Sequence, residues 1–149
     1  MAGMRALGRV YDVVPVASGI DVCVKDASGV GVFATTSTTA ATSIAVVAKP
    51  SFGGSATNWT PGNGFGQPNT WFSKASNTAH WASNAAVWTT NSLALDGTIN
   101  HMSYVDFLTS QFADTFDYIN ITATNCVIHV MLYDLTVARI PANMRIPSA

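Results

Sequence analysis

Apolar and polar residues take turns along most of this chain. In "IDVCVKD", Ile20, Val22 and Val24 alternate with Asp21, Cys23 and Lys25, the period-two pattern of a strand with one face in a core. The preceding "VYDVVPV", residues 10–16, reads as an extended segment that Pro15 confines to a sheet edge or an arm. "ASGVGVFATT" follows, with a predicted turn at Ser28 and Gly29 and a strand carrying Val30 and Val32; together with "IDVCVKD" it predicts a hairpin. "TSTTAATS", 36–43, is a loop, and "IAVVAKP" returns to strand until Pro50.

Residues 51–69, "SFGGSATNWTPGNGFGQPN", carry five glycines and two prolines and predict one long irregular loop, a length that is usually functional rather than filler. "TWFSKAS", "AHWAS" and "AAVWTTNSLAL" predict short strands. Asp96-Gly97 marks a turn before "INHMSYVDFL", a strand with Met102, Tyr104 and Asp106 on one side. After the connector "TSQFADT", a last hairpin is predicted from "FDYINIT", the turn "ATN" and "CVIHVMLYDL".

The final strand departs from simple alternation. Val127, His129, Met131, Tyr133, Leu135 and Val137 form one set, and Cys126, Ile128, Val130 and Leu132 the other, with Asp134 the first polar residue of the second. Both faces therefore want cover: one from the chain's own core, the other from a neighbouring subunit or a terminal segment. His129, Met131 and Tyr133 become subunit-interface candidates.

Short strands with turn signals about every 8–12 residues predict an all-β fold: a single antiparallel β-sandwich, jelly-roll or Ig-like, spanning 1–149 with extended arms at 1–9 and 139–149. The length of 149 residues suits one domain that buries roughly 70% of its unfolded surface. Composition reinforces this reading. All eight acidic residues are Asp and none is Glu, which argues against long amphipathic helices. Charged residues make up 10% of the chain, against about 25% in an ordinary soluble domain, while hydrophobic residues make up 48%. Either Ser, Thr, Asn and Gly cover the surface, or much of it is not surface.

A net charge of -1 and a pI of about 6.2 give no basic footprint for nucleic acid. No apolar run approaches the roughly 20 residues of a membrane span, and Asp12 and Pro15 interrupt what would be the core of a signal peptide. Cys23 and Cys126 form no ligand spacing; two isolated thiols are the first reading and a cross-strand pair the other.

Catalytic and metal chemistry find no pattern to stand on. His80, His101 and His129 sit in no HxH, HExxH or Cys/His spacing, so no metal is expected. There is no GxSxG elbow, Asp106, Asp114 and Asp117 are scattered, and "GNGFG" has no following Lys or helix start to make a phosphate loop. A non-enzymatic protein without cofactor is expected. The sequons at Asn58 and Asn120 are short matches of the kind chance supplies, and no glycosylation follows from them.

Two groups of residues carry more information. Trp59, Trp71, Trp81 and Trp88 fall within thirty positions; core packing is the first reading, and a platform stacking the apolar faces of sugars is the alternative. Of the basic residues, Arg5 and Arg9 lie near the start and Arg139 and Arg145 near the end, with Met4, Leu7, Ile140, Met144 and Ile146 beside them. Arginine among aliphatic residues suits arms that dock on a protein surface and pair with carboxylates.

The segments "LGRVYDVVPVASGIDVCVKDASGV" (7–30) and "YDLTVARIPANMRIPSA" (133–149), around an Ala/Thr/Ser/Asn-rich middle, resemble capsid decoration proteins of tailed phages, also called cement or head auxiliary proteins. The resemblance covers the ends, and the middle by composition. It implies a structural virion protein made in the host cytoplasm, bound to the outer surface of the major capsid protein shell. There it would bridge capsomers as a homo-oligomer, expected to be a trimer as in many such proteins, with no nucleic-acid or membrane partner. The docking candidates it implies are Arg5, Arg9, Arg139, Ile140, Met144, Arg145 and Ile146. The alternative function is a carbohydrate-binding or host-adhesion module, on the virion or secreted; a tail or fibre accessory domain is a third.

Overall fold

A computed structural model describes residues 11–58, 68–75, 80–111 and 115–135. Among these residues twelve strands pack as two antiparallel sheets. Sheet I has the order β1 (Tyr11–Val16), β12 (Cys126–Leu135), β3 (Ala27–Thr36), β10 (Met102–Leu108), β6 (Thr70–Lys74), β7 (Ala82–Ala85). Sheet II has the order β2 (Asp21–Cys23), β11 (Tyr118–Thr124), β4 (Thr42–Lys49), β9 (Ser92–Leu95), β8 (Trp88–Thr89), with β5 (Thr57–Asn58) also on β4.

The pairing follows one rule. β1 pairs with β12, β2 with β11, β3 with β10 and β4 with β9. The chain is thus a long double strand of four pairs, bent so that successive pairs fall alternately in sheets I and II. β12 then meets β3, and β11 meets β4, to close each sheet. This winding is that of a jelly roll, one of the double-sheet ways in which β proteins limit open edges. β5, β6, β7 and β8 are inserted at the tip of the double strand, between β4 and β9.

Alternation places the core. Val30, Val32 and Ala34 of β3, Val105 and Phe107 of β10, and Ile128, Val130 and Leu132 of β12 face inward from sheet I. They meet Val22, Ile44, Val46, Ala48, Leu93, Ile119 and Ile121 from sheet II, each no more than 1% exposed. Trp71 and Trp88 pack against this core from its margin. The Trp88 Nε1–H donates to the carbonyl of Pro68 at 2.7 Å, which satisfies the ring's one donor. Pro15 lies in β1 at the edge of sheet I, where a residue without an N–H costs no interior ladder bond.

Both hairpins expected from the sequence are replaced by crossings between sheets. β2 lies in sheet II and β3 in sheet I; β11 lies in sheet II and β12 in sheet I. Asn125 makes the second corner in the left-handed region, φ 57°, with its Nδ2 donating to the carbonyl of Ala41 at 2.8 Å. Ser28 and Gly29 form no turn and lie inside β3. Cys23 and Cys126, in different sheets, are free thiols.

Sheet II also holds a buried carboxylate. Asp21, 6% exposed, accepts from Asn120 Nδ2 at 2.6 Å and from the Gly53 N–H at 2.8 Å, and pairs with Lys49 at 2.9 Å. Burial alone would raise its pKa, but the bonds from Asn120, Lys49 and Gly53 outweigh it and hold the carboxyl below its ordinary value of 3.8. The stability this group supplies is therefore complete above about pH 4 and is lost as pH falls through the lowered value. Asp21→Asn leaves Lys49 without its counter-charge; it should destabilise the fold by roughly 3–5 kcal/mol in urea melts at neutral pH. The difference from wild type should shrink below about pH 4.

Candidate functional site

The outward residues of sheet I form rows across the strands. The register aligns Pro15, His129, Phe33, Tyr104, Phe72 and Ser83 from β1 through β7 in a single row. The next row holds Val13, Met131, Gly31 and Asp106, and the row on the other side holds Val127, Thr35, Met102 and Lys74. Beyond Gly31 and Asp106 lie Tyr133, Gly29 and Leu108.

Aromatic rings occupy the middle of this face. Phe33 and Tyr104 stack with centroids 4.6 Å apart; Phe72 and Trp81 each approach Tyr104 at 6.4 Å. With Met131 these four rings line an open hollow of about 450 Å³. Among the described residues nine large apolar side chains are notably exposed, and five of them, Val13, Trp81, Met102, Leu108 and Val127, lie on this face at 37–53% exposure. An apolar concentration on one face of a sheet is the usual mark of an interaction surface.

Two strand glycines shape it. A Cβ at Gly29 would lie 2.0 Å from Tyr133 Cζ, and one at Gly31 would lie 2.7 Å from Tyr104 Cε2. Their bare backbone lets Tyr133 of β12 lie across β3 toward Asp106 on β10, and lets Tyr104 of β10 lean over Gly31. The Tyr133 hydroxyl donates to Asp106 Oδ1 at 2.5 Å, and the Tyr104 hydroxyl also bonds Asp106. Desolvation, then the neighbouring Asp106 charge and that bond, push the Tyr104 phenol up to about 12. Both hydroxyls are thereby committed, and the flat rings are held in place.

His129, Met131 and Tyr133 are brought together on this face, as is Trp81. Trp71 and Trp88 lie at the core margin instead, and Trp59 lies outside the described residues. Arg5, Arg9, Arg139, Ile140, Met144, Arg145 and Ile146 also lie outside them. Phe33, Phe72 and Tyr104 were not singled out by sequence reasoning. Their signal is one outward aromatic in each of "GVGVF", "TWFSK" and "HMSYVDF", which becomes one row only when the register is known.

Other polar groups have structural work. His101 Nδ1 contacts Asp96 Oδ2 at 2.7 Å, and Asp96 Oδ1 accepts from the Thr98 N–H at 2.9 Å, bracing the crossing from β9 to β10. Lys25 pairs with Asp117 at 3.1 Å beside the β2 end. Among the described residues no three His, Cys or Asp side chains converge on a metal site. Compared with protein families, curated proteins and solved structures, the chain matches none.

Gly29→Ala should displace the Tyr133 ring and cost about 1–3 kcal/mol in chemical denaturation. Pairing it with Tyr133→Ala should recover part of that loss, because the clash partner is then absent.

Proposed function

We propose that this chain is a non-catalytic structural protein of the outer surface of a tailed-phage capsid. It self-associates, binds the major capsid protein and bridges neighbouring capsomers. The observation that carries the reading is the outer face of sheet I: a rigid, charge-poor apolar surface in a protein with few charges anywhere. Such a face gains stability only when it is covered. The jelly-roll winding supports the reading by analogy alone, since that architecture recurs in viral capsid and lectin domains among others. The resemblance of the two ends to decoration proteins assigns capsid docking to the arms, 1–9 and 139–149. Symmetry would multiply modest contacts into tight attachment.

The test is co-sedimentation of purified protein with empty expanded capsids. Full-length protein should pellet with the shells at saturating stoichiometry. Deleting 1–9 or 139–149 should abolish pelleting while far-ultraviolet circular dichroism retains its β signature. Normal decoration by both truncations would remove the arm assignment.

A second reading rests on the ring arrangement. Trp81, Tyr104, Phe72 and Phe33 in one open hollow present flat apolar faces of the kind that stack on pyranoses. Against it, the Tyr104 hydroxyl is already bonded to Asp106, which leaves few polar groups to orient a sugar. Titration with a broad polysaccharide panel should leave tryptophan fluorescence unchanged. A saturable change abolished by Trp81→Ala would favour the glycan reading.

A further inference from the structure

We propose that two copies of this chain pair face to face through the outer surfaces of sheet I, about a two-fold axis at the aromatic hollow. This goes beyond the capsid reading and does not depend on it, because the pair forms in solution without a shell.

Size is the first support. Six strands about 4.8 Å apart and four rows of outward residues give a face of roughly 29 by 20 Å, or about 580 Å². Two such faces bury about 1,200 Å² in total, the lower bound of the standard class of stable protein interfaces. Aromatic rings and Met, the residues enriched in interface cores, occupy its centre.

Charge is the second. Lys74 and Asp106 lie on opposite sides of the aromatic row: Lys74 stands opposite Met102, and Asp106 is four residues further along β10. Their strand positions are roughly 14 Å apart, and the midpoint falls between Tyr104 and Phe72. An isologous interface requires that residue i meet j while j meets i. A two-fold axis lying in the face, through that midpoint and perpendicular to the Lys74–Asp106 line, sets Lys74 of each copy on Asp106 of the other. The same axis brings the two Tyr104–Phe72 centres together. Lys74 has no ion-pair partner among the described residues, so its charge is available. Asp106 is exposed and held in place by two tyrosine hydroxyls. A face with one cation and one anion mirrored across its hydrophobic centre is complementary to itself.

Sedimentation equilibrium and native mass measurement of full-length protein over a range of concentrations test the pairing. Wild type should be a dimer. Lys74→Asp and Asp106→Lys should each weaken pairing at least about tenfold, since each puts like charges opposite one another. The double exchange, Lys74→Asp with Asp106→Lys, should restore it. Circular dichroism on every variant separates lost pairing from lost fold, and Lys74→Asp removes no described native contact. A concentration-independent monomer overturns the proposal, as does a trimer or a folded double variant that stays monomeric. Shell binding that persists in a monomeric Lys74→Asp variant leaves the capsid reading standing on its own.

Discussion

The fold depends on pairing strands that lie far apart in the chain. β1 pairs with β12 across more than a hundred residues, and β2 pairs with β11 across nearly as many. No local hydrogen bond can substitute, because successive strands in this half of the chain fall in different sheets. The interlock is set where β12 meets β3 and β11 meets β4, and these four strands supply most of the fully buried aliphatic side chains. Loop closure over such distances costs entropy that is returned only when the two faces dock. The polar braces stand at the crossings for this reason: Asn125 at the β11–β12 corner, the Asp96–His101 contact between β9 and β10, and Asp21 tying β2 to β11, β4 and Gly53.

Periodicity was legible wherever a strand has one wet face. Burial alternates strictly along residues 102–108 and 42–49, while polarity follows only in part: 44–48 is an unbroken apolar run, and Ser103 is buried where Met102 and Leu108 are exposed. Partner choice was not legible, since alternation reports which side of a strand is buried and nothing about the strand beside it. Two neighbouring strands joined by a short polar link read as a hairpin; here Asn125 turns the chain into the other sheet. Ser28-Gly29 looked like a turn because glycine weakens strands, whereas Gly29 and Gly31 are strand positions whose missing side chains make room for tyrosines. The double apolar character of 126–135 was visible in sequence. The aromatic row facing it was not, because it collects one residue from each of several distant segments.

The two outer faces resolve the puzzle of a chain so poor in charge. On sheet II the outward positions include Ser43, Ser92, Thr122 and Thr124, whose hydroxyls suit water without formal charge, and the small Ala45 and Ala94. On sheet I they are rings, methionines and aliphatic side chains. The chain thus carries one face suited to solvent and one suited to a partner. Low charge suits both: few ions would lose water if the sheet I face were covered, and Ser and Thr suffice on a wet face.

The insertion between β4 and β9 has a consequence of a different kind. It grows from the tip of the double strand, yet β6 and β7 return to extend sheet I and deliver Phe72, Lys74 and, just before β7, Trp81 to the outer face. The eight wound strands supply the frame, Tyr104, Tyr133 and Asp106; the insert supplies two of the six strands of sheet I and, with Phe72 and Trp81, one side of the hollow. The outer face can therefore be reshaped through changes in one excursion while the frame stays constant, much as a key is recut without altering its bow.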